Sequence, residues 1–177
     1  MPELLTVGHS NRPLPEFLDL LTGHGVKLLA DVRTVPRSRH NPQFNRETLP
    51  ASLAVAGIEY THMARLGGLR KPRADSRNTG WRNLSFRGYA DYMETPEFEQ
   101  ALAELIDFAG GRRLAIMCAE AVPWRCHRSM VADALTARGV EVFHIVSPTR
   151  VDPHKLTAFA HIEDGRVTYP SSDLELF

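Results

Sequence analysis

Cysteine is scarce in this 177-residue chain, which contains only Cys118 and Cys126. Two cysteines are too few for the disulfide framework of a small secreted protein, so we expect free thiols unless they are redox-active or metal-bound. The chain also lacks a run of about 18 apolar residues that could cross a bilayer, and its first residues lack the pattern of a secretory signal. These absences predict a soluble cytoplasmic protein with no membrane partner.

The chain has no excess charge of either sign, because 21 basic side chains balance 21 acidic ones. The overall charge therefore favours neither a nucleic-acid coat nor an acidic tail. We find no internal repeat and no low-complexity segment in the sequence. A chain of this length can bury one sizeable core, so we predict a single domain over residues 1–177.

Short apolar runs alternate with segments of helical periodicity along the chain. The predicted strands are short and rich in apolar side chains, and they lie at 4–7, 26–30, 58–63, 113–118 and 141–146, the last being the final main strand. The predicted helices lie at 14–21, 48–56, 89–93, 96–108 and 129–137. This alternation favours an α/β fold with a mostly parallel sheet and helices on both faces. A small hairpin is expected at 161–169.

Polar residues follow three of the predicted strands at the point where each strand ends. They are Gly8-His9-Ser10, Asp31-Val32-Arg33 and Cys118-Ala119-Glu120. The carboxyl ends of parallel strands form the ligand crevice of an open α/β sheet, so these segments are expected to converge there. The sequence therefore predicts a functional site at this edge of the sheet.

His9, Ser10, Asp31 and Arg33 are the candidate site residues from the first two strand ends. His9 can serve as an acid, a base or a ligand near neutral pH, and the alternative is a hydrogen-bonded loop histidine. Asp31 and Arg33 are two residues apart on an extended segment, so their side chains point to the same side. They either form an internal salt bridge or, with Ser10, bind the substrate.

The segment from Cys118 to Arg128 leads from a strand through a proline-containing loop to a helix start. Cys126 would lie at the helix N-terminus, where the macrodipole and neighbouring cations such as Arg128 or a protonated His127 favour a thiolate. Cys118, at the strand end, is the alternative nucleophile, and Glu120 or His127 is the candidate acid or base. The alternative is that both thiols have only a structural role and pack as small buried side chains.

The stretch from Arg33 to Arg87 is strongly basic, with eleven arginine or lysine side chains against three acidic ones. Arginine forks bind phosphate oxygens in pairs, and Trp81 could stack on a base, so we predict anion contacts here that include Arg37. The alternative is a solvated surface paired with acidic helices. Within this stretch, residues 64–87 are expected to form a long loop that is either functional or disordered.

Several of these motifs together resemble the family catalogued as domain of unknown function 488. The resemblance rests on Thr6-Val7-Gly8-His9-Ser10, Asp31-Val32-Arg33, Leu66-Gly67-Gly68, and Cys118-x-Glu120 followed by Cys126-His127-Arg128. It implies an α/β domain without implying a reaction. The positions that it implies to be functional are His9, Ser10, Asp31, Arg33, Cys118, Glu120, Cys126, His127 and Arg128.

Three functional hypotheses follow from these residues. The leading one is an enzyme acting on a phosphorylated or nucleic-acid-related substrate, with a thiolate as nucleophile and with Arg33 and Arg128 holding anionic oxygens. The second is a non-catalytic nucleic-acid-binding module in which the basic stretch contacts phosphates. The third is a metal- or redox-sensing domain, although the cysteine spacing matches no zinc finger and we expect no metal or cofactor. The oligomeric state is left open.

Overall fold

The computed structural model describes residues 3–171, which form a mixed α/β domain with a six-stranded sheet. The sheet strands are β1 (Glu3–Gly8), β2 (Leu28–Asp31), β3 (Glu59–His62), β4 (Leu114–Cys118), β5 (Glu141–Ser147) and β6 (Arg150–Pro153). The α-helices are α1 (Leu14–Gly23), α2 (Leu49–Val55), α3 (Leu84–Tyr92), α4 (Pro96–Ala109) and α5 (Arg128–Ala137). Short 3₁₀ turns lie at Pro42–Phe44, Ala64–Leu66 and Pro123–Arg125, and a separate hairpin joins β7 (His161–Glu163) to β8 (Arg166–Thr168).

The strand order β3-β2-β4-β1-β5-β6 places β1 and β4 side by side near the centre of the sheet. All neighbours are parallel except β5 and β6, so the predicted fold class is confirmed. The chain leaves β1 towards β2 and leaves β4 in the opposite direction, towards β5. Adjacent strands whose connections diverge are where a ligand crevice is expected, at the carboxyl ends of the strands, here near Gly8 and Cys118.

Side chains of the central strands alternate between two hydrophobic cores. Leu5 and Val7 of β1 pack with α1 and α2, whereas Leu4 packs with α3, α4 and α5. Both faces of the sheet are therefore covered by helices, as a parallel sheet requires. Thr6 lies on the same face as Leu4, so a buried polar group occupies a position where the pattern calls for an apolar one.

Two predictions, the last main strand and the start of the third helix, are wrong. Residues 141–146 are not the last main strand, because β6 adds an antiparallel edge strand whose final Pro153 is tolerated at a sheet edge. Helix α3 begins at Leu84, five residues earlier than predicted and inside the predicted loop. It begins there because the Asn83 side chain accepts hydrogen bonds from the backbone N–H groups of Ser85 and Phe86.

The remainder of the predicted loop is fixed by one buried carboxylate. Asp91 Oδ1 accepts hydrogen bonds from Ser76 Oγ (2.6 Å) and Asn78 Nδ2 (2.8 Å), and its Oδ2 accepts one from the backbone N–H of Arg73 (2.8 Å). Asn78 in turn accepts a hydrogen bond from the backbone of Tyr169. These bonds attach the loop both to α3 and to the segment after β8. Among residues 3–171, no helix is long and apolar enough to cross a membrane.

Candidate functional site

Asp31 and Arg33 form a buried, bidentate ion pair at the end of β2. Arg33 Nε lies 2.9 Å from Asp31 Oδ1, and Arg33 Nη2 lies 2.7 Å from Asp31 Oδ2. Tyr60 Oη also donates to Asp31 Oδ2 at 2.5 Å, and burial together with this carboxylate raises the pKa of the phenol. Of the two alternatives for Asp31 and Arg33, the structure displays the internal salt bridge. Most of the Arg33 fork is therefore already engaged.

His9 is a buried, hydrogen-bonded histidine beside this ion pair. Its Nδ1 donates to the carbonyl of Ser10 at 2.7 Å, so its Nε2 accepts the hydrogen bond from Arg33 Nη1 at 3.3 Å. Its ring stacks on Phe44 at a centroid distance of 4.4 Å, and burial lowers its pKa. The backbone N–H of His9 donates to the carbonyl of Cys118, which continues the β1–β4 ladder into the strand ends. Ser10 is partly exposed, with a positive φ of 49°.

The two thiols lie together on the other face of the sheet, at the end of β4 and the start of α5. Cys118 is 1% exposed and Cys126 is 6% exposed. Burial raises the pKa of Cys118, but the thiol of Cys126 and the guanidinium of Arg128 outweigh burial, and the net shift is downward. The interaction with Cys118 and burial both raise the pKa of Cys126. Of the two thiols, Cys118 is therefore the one whose pKa is lowered.

His127 is partly buried and the Glu120 side chain is exposed, and the role of either one as acid or base stays a prediction. His127 Nε2 donates to the carbonyl of Val32 at 3.0 Å, and burial lowers the pKa of this imidazole to about 4. The idea that a protonated His127 favours a thiolate on Cys126 is therefore wrong, because the ring is neutral at pH 7. The side chain of Glu120 is exposed, and the contact that it provides to the site is its backbone carbonyl.

Arg128 is a buried cation whose hydrogen-bond partners are all neutral. Its Nη1 donates to Thr6 Oγ1 at 2.7 Å, and its Nη2 donates to the carbonyls of Glu120 and Ala121, both at 3.0 Å. The side chain is 1% exposed, and its Nε has no hydrogen-bond partner. A buried charge is costly without a counter-charge, and a buried donor without an acceptor is rare. Arg128 therefore has the properties of an anion-binding group.

A chain of buried polar side chains continues from Arg128 across α5, β1 and β5. Thr6 Oγ1 lies 2.5 Å from His144 Nδ1, and His144 Nε2 lies 2.8 Å from His154 Nδ1. His154 Nε2 lies 2.8 Å from Asp133 Oδ1. We call Thr6, His144, His154 and Asp133 the histidine relay. Sequence reasoning missed it, although a threonine and a histidine within apolar strands and an aspartate within an apolar helix were detectable signals.

Beside Arg128 and the two histidines a cleft of about 1030 Å³ opens between β5, β6 and the loop at 121–124. We call it the Arg128 cleft. The charged side chains that line it are mostly basic, namely Arg12, Arg128, Arg150 and Lys155, with Asp152 as the acidic one. Two tryptophans also line it: Trp124 is 70% exposed, and Trp81 has a buried indole N–H without a hydrogen-bond partner. The cleft can therefore receive an anion and an aromatic group together.

Part of the basic stretch is engaged in ion pairs at the surface. Arg37 pairs with Glu47 at 2.8 Å, and both side chains are exposed. Arg65 pairs with Glu104 of α4, and Arg77 with Glu94. These contacts match the alternative of a solvated surface paired with acidic helices. Arg37 does not line the Arg128 cleft.

The predicted site residues form two groups and not one. His9, Asp31 and Arg33 lie on the face covered by α1 and α2, whereas both thiols, His127 and Arg128 lie on the face covered by α5. The groups meet through the backbone, because the carbonyl of Val32 accepts from His127 and that of Cys118 accepts from His9. In the part of the chain that the structure describes, no three His, Cys, Asp or Glu side chains are grouped to hold a metal ion.

Comparison with known proteins identifies one family. No curated protein and no solved structure matches the chain at a significant level. The family described as "Domain of unknown function DUF488" matches residues 13–135, which is well over half of the chain. The matched region contains Asp31, Arg33, both thiols and Arg128, and begins after His9. The chain belongs to the DUF488 family of domains of unknown function.

Proposed function

We propose that this chain is an enzyme acting on a phosphate-bearing, nucleotide-like substrate, whose phosphate binds Arg128 in the Arg128 cleft. The observation that carries this proposal is Arg128 itself. Its guanidinium is buried at the wall of the cleft, its partners are neutral and its Nε is unpartnered. A phosphate oxygen would supply the missing acceptor, and its charge would add to that of a Cys118 thiolate beside the same guanidinium.

The remaining charges of the cleft support an anionic ligand. Arg150 is paired with Asp152 at 2.9 Å, so these two side chains largely cancel each other. Lys155 adds a further positive charge to the lining of the cleft. Lysine and arginine in one cleft suit a ligand with more than one negative charge, such as a diphosphate or triphosphate.

The tryptophans support a ligand that also carries a base. An exposed tryptophan side chain at the mouth of a cleft offers a flat apolar face, and bases stack on such faces independently of sequence. Trp124 provides this face, and the loop that carries it also supplies the carbonyl of Ala121 to Arg128. Stacking and phosphate binding would therefore act on neighbouring parts of one nucleotide.

The Cys118 thiol and Arg128 share one backbone acceptor, the carbonyl of Glu120. The thiol of Cys118 donates to the carbonyl of Glu120 at 3.7 Å, and Arg128 Nη2 donates to the same carbonyl. A group that stabilises a thiolate therefore also borders the cleft. We propose that Cys118 is the nucleophile and that the guanidinium of Arg128 serves both the thiolate and the substrate anion.

Nucleotide binding tests the proposal. Adenosine triphosphate is expected to bind and to change tryptophan fluorescence, and Trp124→Ala should weaken its binding about 5- to 150-fold through lost stacking. Inorganic triphosphate should bind Trp124→Ala as it binds the parent chain. Phe108→Ala, which removes an exposed aromatic ring from α4, is the matched control and should change neither titration. If neither triphosphate binds, the proposal is wrong.

Alkylation of the thiols as a function of pH tests the assignment of Cys118. Mass mapping after iodoacetamide treatment should show Cys118 reacting with a pKa below that of an ordinary cysteine thiol, and Cys126 reacting only at higher pH. Cys126→Ala removes the neighbouring thiol that stabilises the thiolate, so it should raise the pKa of Cys118. Preferential alkylation of Cys126 would contradict the assignment.

A further inference from the structure

The loop between β4 and α5 carries an exposed turn at the mouth of the Arg128 cleft. This turn is the 3₁₀ segment Pro123–Arg125. Its Trp124 side chain lines the cleft and is 70% exposed, whereas the next side chain, that of Arg125, is exposed and does not line the cleft. The turn therefore places a cation next to the tryptophan but outside the cleft.

Two cations of this region are not engaged in ion pairs. The ion pairs found among residues 3–171 include neither Arg125 nor Lys155, and both side chains are exposed. Arg37, by contrast, is paired with Glu47. A cation without an acidic neighbour keeps its full positive field for a ligand. Because the lysine lines the cleft and the arginine lies outside it, positive charge extends from the cleft to the surface beyond.

The size of the cleft and its aromatic lining limit the kind of nucleic acid that can enter. A volume of about 1030 Å³ lies at the upper end of the roughly 300–1,000 Å³ range of small-molecule sites, so it suits one or two nucleotides. A duplex is contacted from outside through its grooves, and its bases stay stacked on one another. A base can stack on Trp124 only after it has left such a stack, so this contact requires a single strand.

We propose that the nucleotide bound in the Arg128 cleft belongs to a single-stranded nucleic acid, whose next phosphate lies on Arg125. This inference rests on the proposed function, which places one phosphate at Arg128 and one base on Trp124. Consecutive Cα atoms lie about 3.8 Å apart, so a base on the tryptophan ring leaves the neighbouring phosphate of the strand within reach of the long arginine side chain.

The placement of the cations favours a strand over a free nucleotide. Arg128 is buried at the wall of the cleft, and Arg125 is exposed outside it, with Trp124 between them in the chain. A free nucleoside triphosphate carries all its phosphates on one side of its base, so it would not use the outer arginine. Inside a strand each base has a phosphate on both sides. Because phosphates and the face of a base carry no sequence information, binding should tolerate different sequences.

Fluorescence anisotropy with fluorescein-labelled hexathymidylate tests the proposal. Arg125→Ser should weaken its binding about tenfold or more through the loss of a charged phosphate contact. The same variant should lower the slope of log K against log[salt] by about 0.7, the value for one contact to a single strand. Arg112→Ser is the matched control and should change neither quantity, because this exposed arginine lies just before β4, at the opposite edge of the sheet from Cys118.

The outcomes separate this inference from the proposed function. Weaker strand binding by Arg125→Ser, with Arg112→Ser unchanged, supports the inference. Hexathymidylate that binds no more tightly than thymidine 5′-monophosphate overturns the inference and leaves the nucleotide site intact. Strand binding that Arg125→Ser leaves unchanged, or that a blunt-ended duplex displaces as well as a single strand does, also overturns it. If the strand does not bind at all, the inference is wrong, while the titration with adenosine triphosphate decides the proposed function by itself.

Discussion

Asp31→Ala is expected to lower the free energy of unfolding by about 3–5 kcal/mol, because it leaves the buried guanidinium of Arg33 without its counter-charge. Asp31 is completely buried and Arg33 is 6% exposed, so water cannot replace the lost carboxylate without opening the core. The substitution also removes the acceptor of the Tyr60 hydroxyl. Urea denaturation followed by circular dichroism measures the change as a shift of the midpoint.

A double variant identifies the cause of that loss. If an uncompensated charge dominates, Asp31→Leu combined with Arg33→Leu should be more stable than Asp31→Leu alone, because neither charge then remains buried. Glu47→Ala serves as a control, since it removes the carboxylate of the exposed Arg37 pair and should leave the midpoint unchanged. A double variant no more stable than the single one would point to lost packing as the cause.

The fold could be predicted because most of its elements are specified locally. Apolar runs bounded by glycine gave all five predicted strands to within about two residues, and Pro96 and Gly110 delimit α4 as expected. The edge strand β6 was missed because Arg150–Pro153 has two charged or polar positions and ends in proline. Its pairing with β5 depends on tertiary contact and not on its own pattern.

The candidate site was only partly predictable, for a reason of sheet geometry. The position of a motif at the end of a strand predicts the edge of the sheet at which its residues lie. Successive side chains point to opposite faces of the sheet, so two residues at the same edge can lie on different faces. His9 follows Gly8 and Cys118 pairs with Gly8, so His9 and Cys118 share the edge and diverge in direction. Contacts such as Thr6 to His144, 138 residues apart, leave no local trace in the sequence.

Arg128→Leu is expected to reduce the affinity for inorganic triphosphate by about 30-fold or more, which corresponds to the 2 kcal/mol or greater cost of removing one partner of a buried charge contact. The loss should exceed that of Lys155→Ala, because the lysine binds as a point charge at the cleft wall while the guanidinium offers a buried, unpartnered donor. Isothermal titration calorimetry of both variants with triphosphate provides the comparison. The ionic strength must be the same in both titrations, because salt screens the charge of the lysine more strongly than that of the buried guanidinium.

Arg128→Lys distinguishes the geometry of the guanidinium from its charge. Lysine keeps the positive charge but cannot donate to Thr6, to two carbonyls and to a ligand at once, so its affinity should fall between those of the parent chain and Arg128→Leu. Both variants lose bonds that fix the loop at 120–121, so far-ultraviolet circular dichroism must first show that each remains folded. Triphosphate affinity unchanged in a folded Arg128→Leu protein would contradict the assignment of Arg128 as the phosphate-binding residue.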